Sequence, residues 1–137
     1  MINGVIAAKL QSFEEVLNEL RSLGEIDVAQ LQNDWRTQRA VERNLQVLVE
    51  IAIDLCQRFI ALLSQSPATT GTDAIERCIQ LNILTDKPDY RQMVRFRNFI
   101  VHRYDRIDPA VLVDVVNNQL PVFEQFRDEI LTYVKKN

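Results

Sequence analysis

The run Arg97-Asn98-Phe99-Ile100-Val101-His102-Arg103-Tyr104 contains the only histidine among 137 residues. Near neutral pH, imidazole is the side chain best suited to take and return a proton. A neighbouring guanidinium can hold a phosphate through two parallel hydrogen bonds. A proton shuttle beside a phosphate clamp is the minimum equipment for cutting an RNA backbone without a metal. Each residue also has a plainer role. His102 could be an exposed imidazolium at a helix C-terminus. Arg97 could pair with Asp105 or an acid of another helix, and Asn98 could hydrogen-bond helix backbone. Tyr104 could be a half-buried aromatic with its hydroxyl in water.

The elements that must position these residues read as helices. Three glycines and four prolines leave little room for tight turns. Ile6, Leu10, Phe13, Leu17 and Leu20 recur at helical spacing, and Gly24 is the expected left-handed stop. Asp27 with Gln30 resembles a capping box for a short helix that breaks near Asn33-Asp34. A long central helix is expected over 35–63, with Val41, Leu45, Leu48, Ala52, Leu55, Phe59 and Leu62 on its main stripe. Val47, Ile51 and Ile53 make it apolar on further faces, which must be covered by the chain's own bundle, by a second copy, or by both. A loop over 64–71 precedes a helix over 72–84, with Asp73 and Glu76 suited to its N-terminus.

Pro88 is expected to open the helix that carries the motif, and that helix should run to about Arg103. Its apolar stripe is Met93, Phe96 and Ile100. Asn98 and His102 are four apart and share a face. Arg97 and His102 are five apart, roughly 140° around an ideal helix. They can flank one groove, most readily if the helix ends after Val101. Asp108-Pro109 reads as the start of the last helix, which Pro121 should kink or split.

The composition narrows the function. With 47% apolar residues, 137 residues can build the core of a single domain over 1–137. No apolar run approaches the roughly 18 residues of a membrane span, and the N-terminus lacks signal-peptide features, so a cytoplasmic protein with no membrane association is expected. Cys56 and Cys78 sit in helical apolar patterns and read as reduced core residues. One histidine and no Cys or His cluster argue against a metal site, and no cofactor is expected. The net charge of −3 argues against bulk affinity for nucleic acid. Within 87–106, however, six basic residues face two acids, a local +4 that leaves −7 on the remainder. That pattern suits a focused phosphate site, to which Arg95 and Arg103 are assigned as further RNA-phosphate contacts beside Arg97.

The spacing Arg, four residues, His, one residue, Tyr resembles the signature of the HEPN-superfamily ribonucleases, and its His-x-Tyr ending resembles the HepT toxins of HepT–MntA pairs. The run Met93-Val94-Arg95-Phe96-Arg97-Asn98, the residues Tyr104-Asp105 and Ile107-Asp108, and the segment Arg39-Ala40-Val41-Glu42-Arg43 share the likeness. It implies an all-α, up-and-down, HEPN-like bundle of about five helices, forming a homodimer with both motifs in one cleft. It implies a metal-independent endonuclease acting on cellular RNA, with tRNA prominent, in which Arg97, His102 and Asn98 are catalytic. It also implies a nucleotidyltransferase antitoxin of the MntA type, which silences the toxin by transferring AMP to Tyr104. The alternative is a non-catalytic subunit that presents a substrate or nucleotide to a nucleotidyltransferase, a role that would tolerate loss of His102.

Overall fold

The computed structural model describes residues 3–102 and 107–137. Helix α1 (Gly4–Arg21) begins where the Asn3 side chain accepts the Ile6 N–H, and it buries Ile6, Leu10, Phe13, Leu17 and Leu20. The chain reverses at Gly24, whose φ of 63° is costly for any residue with a Cβ. Asp27 and Gln30 exchange the two hydrogen bonds of a capping box at the start of α2 (Val28–Asn33). Asp34 then caps α3 (Trp35–Leu62) by accepting the Arg36 and Thr37 N–H groups. Hydrogen bonds from the Thr37 hydroxyl and backbone, with that from Arg36, hold its carboxyl below the ordinary range.

Helix α3 is the axis of the molecule. It packs against α1 and α2, and against α4 (Gly71–Gln80), α5 (Pro88–Val101) and α6 (Pro109–Asp114). Val41, Leu45, Leu48, Val49, Ala52, Leu55, Cys56, Phe59 and Ile60 are all buried by the chain's own helices. Val47, Ile51 and Ile53 are only half-buried. The two cysteines are free, and the Cys78 thiol donates to the Cys56 carbonyl at 3.7 Å.

The helix expected over 72–84 is shorter and starts earlier, at Gly71–Gln80. It stops because Asn82 takes a φ of 60°, and the Ile83 N–H turns back to the Cys78 carbonyl at 2.9 Å. Ser64 closes α3 the same way, with Gln65 N–H donating to the Ile60 carbonyl at 3.1 Å. Both ends are Schellman turns made without glycine. Periodicity over 72–84 did not reveal the stop, because Leu81, Ile83 and Leu84 continue an apolar pattern after the helix has ended.

Pro121 neither kinks nor splits the last helix at its own position. It lies in the first turn of α7 (Leu120–Lys136), where its missing N–H costs little. The adjustment lies upstream, in a π turn over Val115–Gln119 that joins α6 to α7. The π turn carries Asn117, which accepts from the Ile26 N–H at 3.0 Å and donates to its carbonyl at 2.8 Å. Among the described residues the fold is an all-α, up-and-down bundle, with five helices of ten residues or more.

Candidate active site on helix α5

Helix α5 is held at its N-terminal end and along its inner face. Pro88 occupies the first turn, and Tyr90, Met93 and Val94 are buried, with Phe96 and Ile100 packed partly against the core. Tyr90 meets Phe126 edge to face at 5.8 Å and donates its hydroxyl proton to Glu129 of α7. Glu129 also accepts from Thr85 N–H at 2.6 Å and from Lys87 Nζ at 3.2 Å. Burial would raise the Glu129 carboxyl, but these donors hold it below the ordinary range. Burial, then the hydrogen bond to Glu129, raises the Tyr90 phenol far above its usual range. Arg91 pairs with Glu76 of α4 and with Asp86 at 2.7 Å, so it is a structural cross-link.

Arg97 has other surroundings. It follows Val94 by three positions and Met93 by four, which keeps it at the edge of the buried face, and it is half-buried. Its Nε is buried and has no hydrogen-bond partner. Among the described residues it makes no ion pair. A Cβ built on Gly71, the first residue of α4, would lie 3.0 Å from Arg97 Nη2, 3.3 Å from Val94 Cγ1 and 2.7 Å from Ile53 Cδ1. The guanidinium therefore rests where α3, α4 and α5 meet.

His102 terminates α5. Its φ and ψ of −93° and 5° leave the helix, while its N–H still donates to the Asn98 carbonyl at 3.1 Å. The helix thus stops after Val101, the condition under which Arg97 and His102 can flank one groove. Five residues of helical rise put their α-carbons roughly 7.5 Å apart along the axis. The side chains of His102, Asn98 and Arg95 are exposed, and no described residue hydrogen-bonds to them. The arrangement is a half-buried cation with unused donors, followed one turn later by an exposed imidazole. Such a pair can hold a phosphodiester at one end and exchange a proton with it at the other.

Arg103 and Tyr104 lie outside the described residues, as do Asp105 and Arg106. Beyond them, Ile107 is buried and its carbonyl accepts from Gln38 Nε2 at 2.9 Å. Gln38 lies inside α3 at only 2% exposure. Glu42, one turn later, is also buried and faces Arg39 at 3.5 Å, an i, i+3 pair on one helix. Gln38, which bonds the backbone just after the motif, and Gly71, which lies beside Arg97, are the neighbours of the motif that sequence reasoning missed. The available signal for Gln38 was an amide one turn before Val41 and Glu42 on a helix covered on several sides. For Gly71 it was a glycine at a helix start with no turn to make.

A cleft on another face of α5 is lined by Asp89, Gln92, Met93, Phe96 and Asp114 and contains neither Arg97 nor His102. Its acidic rim has the wrong sign for a phosphate. Among the described residues no helix is long and apolar enough to cross a membrane, and no group of three His, Cys, Asp or Glu is arranged to hold a metal.

Comparison with known proteins places these residues in context. The profile of the family described as "Ribonuclease HepT-like" matches residues 13–130. The mRNA nuclease HepT of Shewanella oneidensis is 27% identical over 94% of this chain and 98% of its own length. The tRNA nuclease HepT of Aphanizomenon flos-aquae is 24% identical over 95% of this chain and 90% of its own. Among solved structures, a tri-AMPylated HEPN toxin of Shewanella oneidensis in complex with an MNT antitoxin superposes with a TM-score of 0.83 at 27% identity. That match covers 96% of this chain and 99% of the other. With the profile spanning most of the chain and the bundle reproduced end to end, the protein belongs to the HepT-like ribonuclease family.

Proposed function

We propose that this protein is the toxin of a toxin–antitoxin pair, a ribonuclease that cuts RNA without a metal ion. The observation that carries the reading is Arg97, a guanidinium held at a three-helix junction with a buried, unpartnered Nε, one turn before the exposed His102. Unused donors on a cation are costly unless a ligand takes them up. In the proposed reaction the ribose 2′-oxygen attacks the adjacent phosphorus in line. The bond to the 5′-oxygen breaks, leaving a 2′,3′-cyclic phosphate and a 5′-hydroxyl. His102 moves the proton, Arg97 neutralises the phosphate oxygens, and Asn98, on the His102 face, orients the imidazole. Arg95 and Arg103 add phosphate contacts. A homodimer brings two imidazoles to one cleft, so base and acid can be separate groups. One relative is an mRNA nuclease and another a tRNA nuclease, which supports RNA as the substrate class.

The partner in this reading is a nucleotidyltransferase antitoxin of the MntA type, which transfers AMP to Tyr104. The tri-AMPylated toxin and its MNT antitoxin support it. Each added phosphodiester brings about one negative charge close to the phosphate clamp in sequence, where it competes with RNA.

Two measurements test the reading. RNA incubated with the protein in EDTA should be cut to cyclic-phosphate and 5′-hydroxyl ends, with His102→Ala slower by on the order of 10²-fold or more. Undiminished cleavage by His102→Ala would remove the catalytic assignment. With the partner and ATP, intact mass and peptide mapping should place AMP on Tyr104. Tyr104→Phe should keep much of its cleavage yet escape silencing, and silencing as complete as that of the parent would refute the switch.

A further inference from the structure

Gly71 is a glycine without a backbone reason. Among the described residues the only glycine with a positive φ is Gly24, so the Gly71 conformation is open to any L-residue. It is the first residue of α4, where alanine would favour the helix more. What alanine would lack there is space. The missing side chain leaves room bounded by Ile53 Cδ1 of α3 and by Val94 Cγ1 and Arg97 Nη2 of α5. At 2.7 Å, Ile53 Cδ1 would have to shift to admit a Cβ, and at 3.0 Å Arg97 Nη2 would have to give by a few tenths of an ångström.

Among the described residues no acid holds the guanidinium in this place. The N-terminal end of α4 carries the positive end of the helix dipole, which repels a cation. The carboxylate of that first turn, Asp73, is already engaged by the Thr69 N–H at 3.0 Å and by Arg77 at 4.0 Å. Among the described residues nothing else draws Arg97 inward. Among the described residues packing rather than an ion pair seats it, in the space that residue 71 leaves by having no side chain.

We propose that Gly71 is a positioning residue for RNA cleavage: its bare Cα forms the seat that fixes the Arg97 guanidinium at the α3–α4–α5 junction. The inference rests on the proposed role of Arg97 as the phosphate clamp. A Cβ at position 71 displaces the guanidinium toward solvent, where it still carries its charge but no longer meets the phosphate in one geometry. Rate suffers more than binding, because a displacement of a few tenths of an ångström costs orientation rather than charge.

The test compares Gly71→Ala with Gly71→Ala/Ile53→Val, the latter measured against Ile53→Val. Removing Cδ1 relieves the closest clash and leaves the one with Arg97, which separates loss of folding from loss of the seat. The double variant should melt close to Ile53→Val, yet lose on the order of tenfold to 10²-fold in kcat with little change in KM. In an Arg97→Ala background, Gly71→Ala should cost nothing further, because the two act through one group. Independently of activity, phenylglyoxal labelling followed by peptide mapping should modify Arg97 several-fold faster in the folded double variant. Parent-like kcat, an equal Gly71→Ala penalty without Arg97, or unchanged labelling of Arg97 would each overturn the proposal. If the parent cuts no RNA while labelling still rises, the ribonuclease reading falls and the seat stands.

Discussion

At the scale of single residues, position along one helix divides the arginines of the basic segment by role. Arg91 is satisfied by Glu76 and Asp86, and both hold its proton more firmly than usual. Arg97, six positions later, has a buried Nε that none of the described residues satisfies. An apolar side chain of similar length would fit the seat beside Ile53 and Val94 without the cost of unused donors. Arg97→Met is therefore expected to leave the melting temperature unchanged or to raise it, by roughly 0–2 kcal/mol of stability. RNA cleavage by the same variant should fall by on the order of 10²-fold or more. Thermal denaturation and initial rates on one preparation check both. A lower melting temperature would mark Arg97 as structural.

At the scale of elements, the angle of α5 is set from its N-terminal half. Tyr90, Lys87 and Thr85 converge on Glu129 and tie the start of α5 to α7. The Glu129 carboxyl is depressed in the folded protein, so the cluster contributes stability above the unfolded glutamate pKa of about 4.3. That contribution is lost as pH falls through the lower, folded value. Glu129→Gln should cost about 1–3 kcal/mol at pH 7, and the gap to the parent should close below about pH 4. Melting curves from pH 3 to 8 check the sign. A gap that persists in acid would mean that shape rather than charge ties α5 to α7. The Tyr90 side of the cluster works the other way: its raised phenol keeps its contribution below about pH 10 and loses it above.

At the scale of the whole molecule, one chain covers most of α3 yet leaves Val47, Ile51 and Ile53 half-buried, with Phe99 and Val101 exposed just before His102. An apolar surface next to the imidazole proposed as catalytic suits a second copy, whose stable interface needs about 800 Å² from each partner. Sedimentation at micromolar concentration should show two chains. Phe99→Glu/Val101→Glu should shift the protein to one chain, because a charge cannot enter a dry interface, and cleavage should fall with it. A single-chain parent that cuts RNA at full rate would refute the shared cleft.

Much of this was legible in the order of residues. Periodicity sets the helices, Asp27-Gln30, Asp34 and Asp108-Pro109 set their starts, and Gly24 sets a stop, because each acts on backbone within four residues of itself. The candidate chemistry was legible too, since Arg97, Asn98 and His102 lie within two turns of one helix. Other features depended on residues far apart in the chain. The Schellman turns at Ser64 and Asn82 replace the expected glycine with tolerated strain. The π turn before Pro121 is bracketed to Ile26, 91 positions away. Gln38 reaches Ile107 across 69 positions, and Gly71 lies beside Arg97 only because α3, α4 and α5 pack together. Local sequence determined which groups could do chemistry and on which helix they stand. Only tertiary packing decided that one arginine is satisfied and another left open, because burial and partnership belong to neighbours that spacing alone does not name.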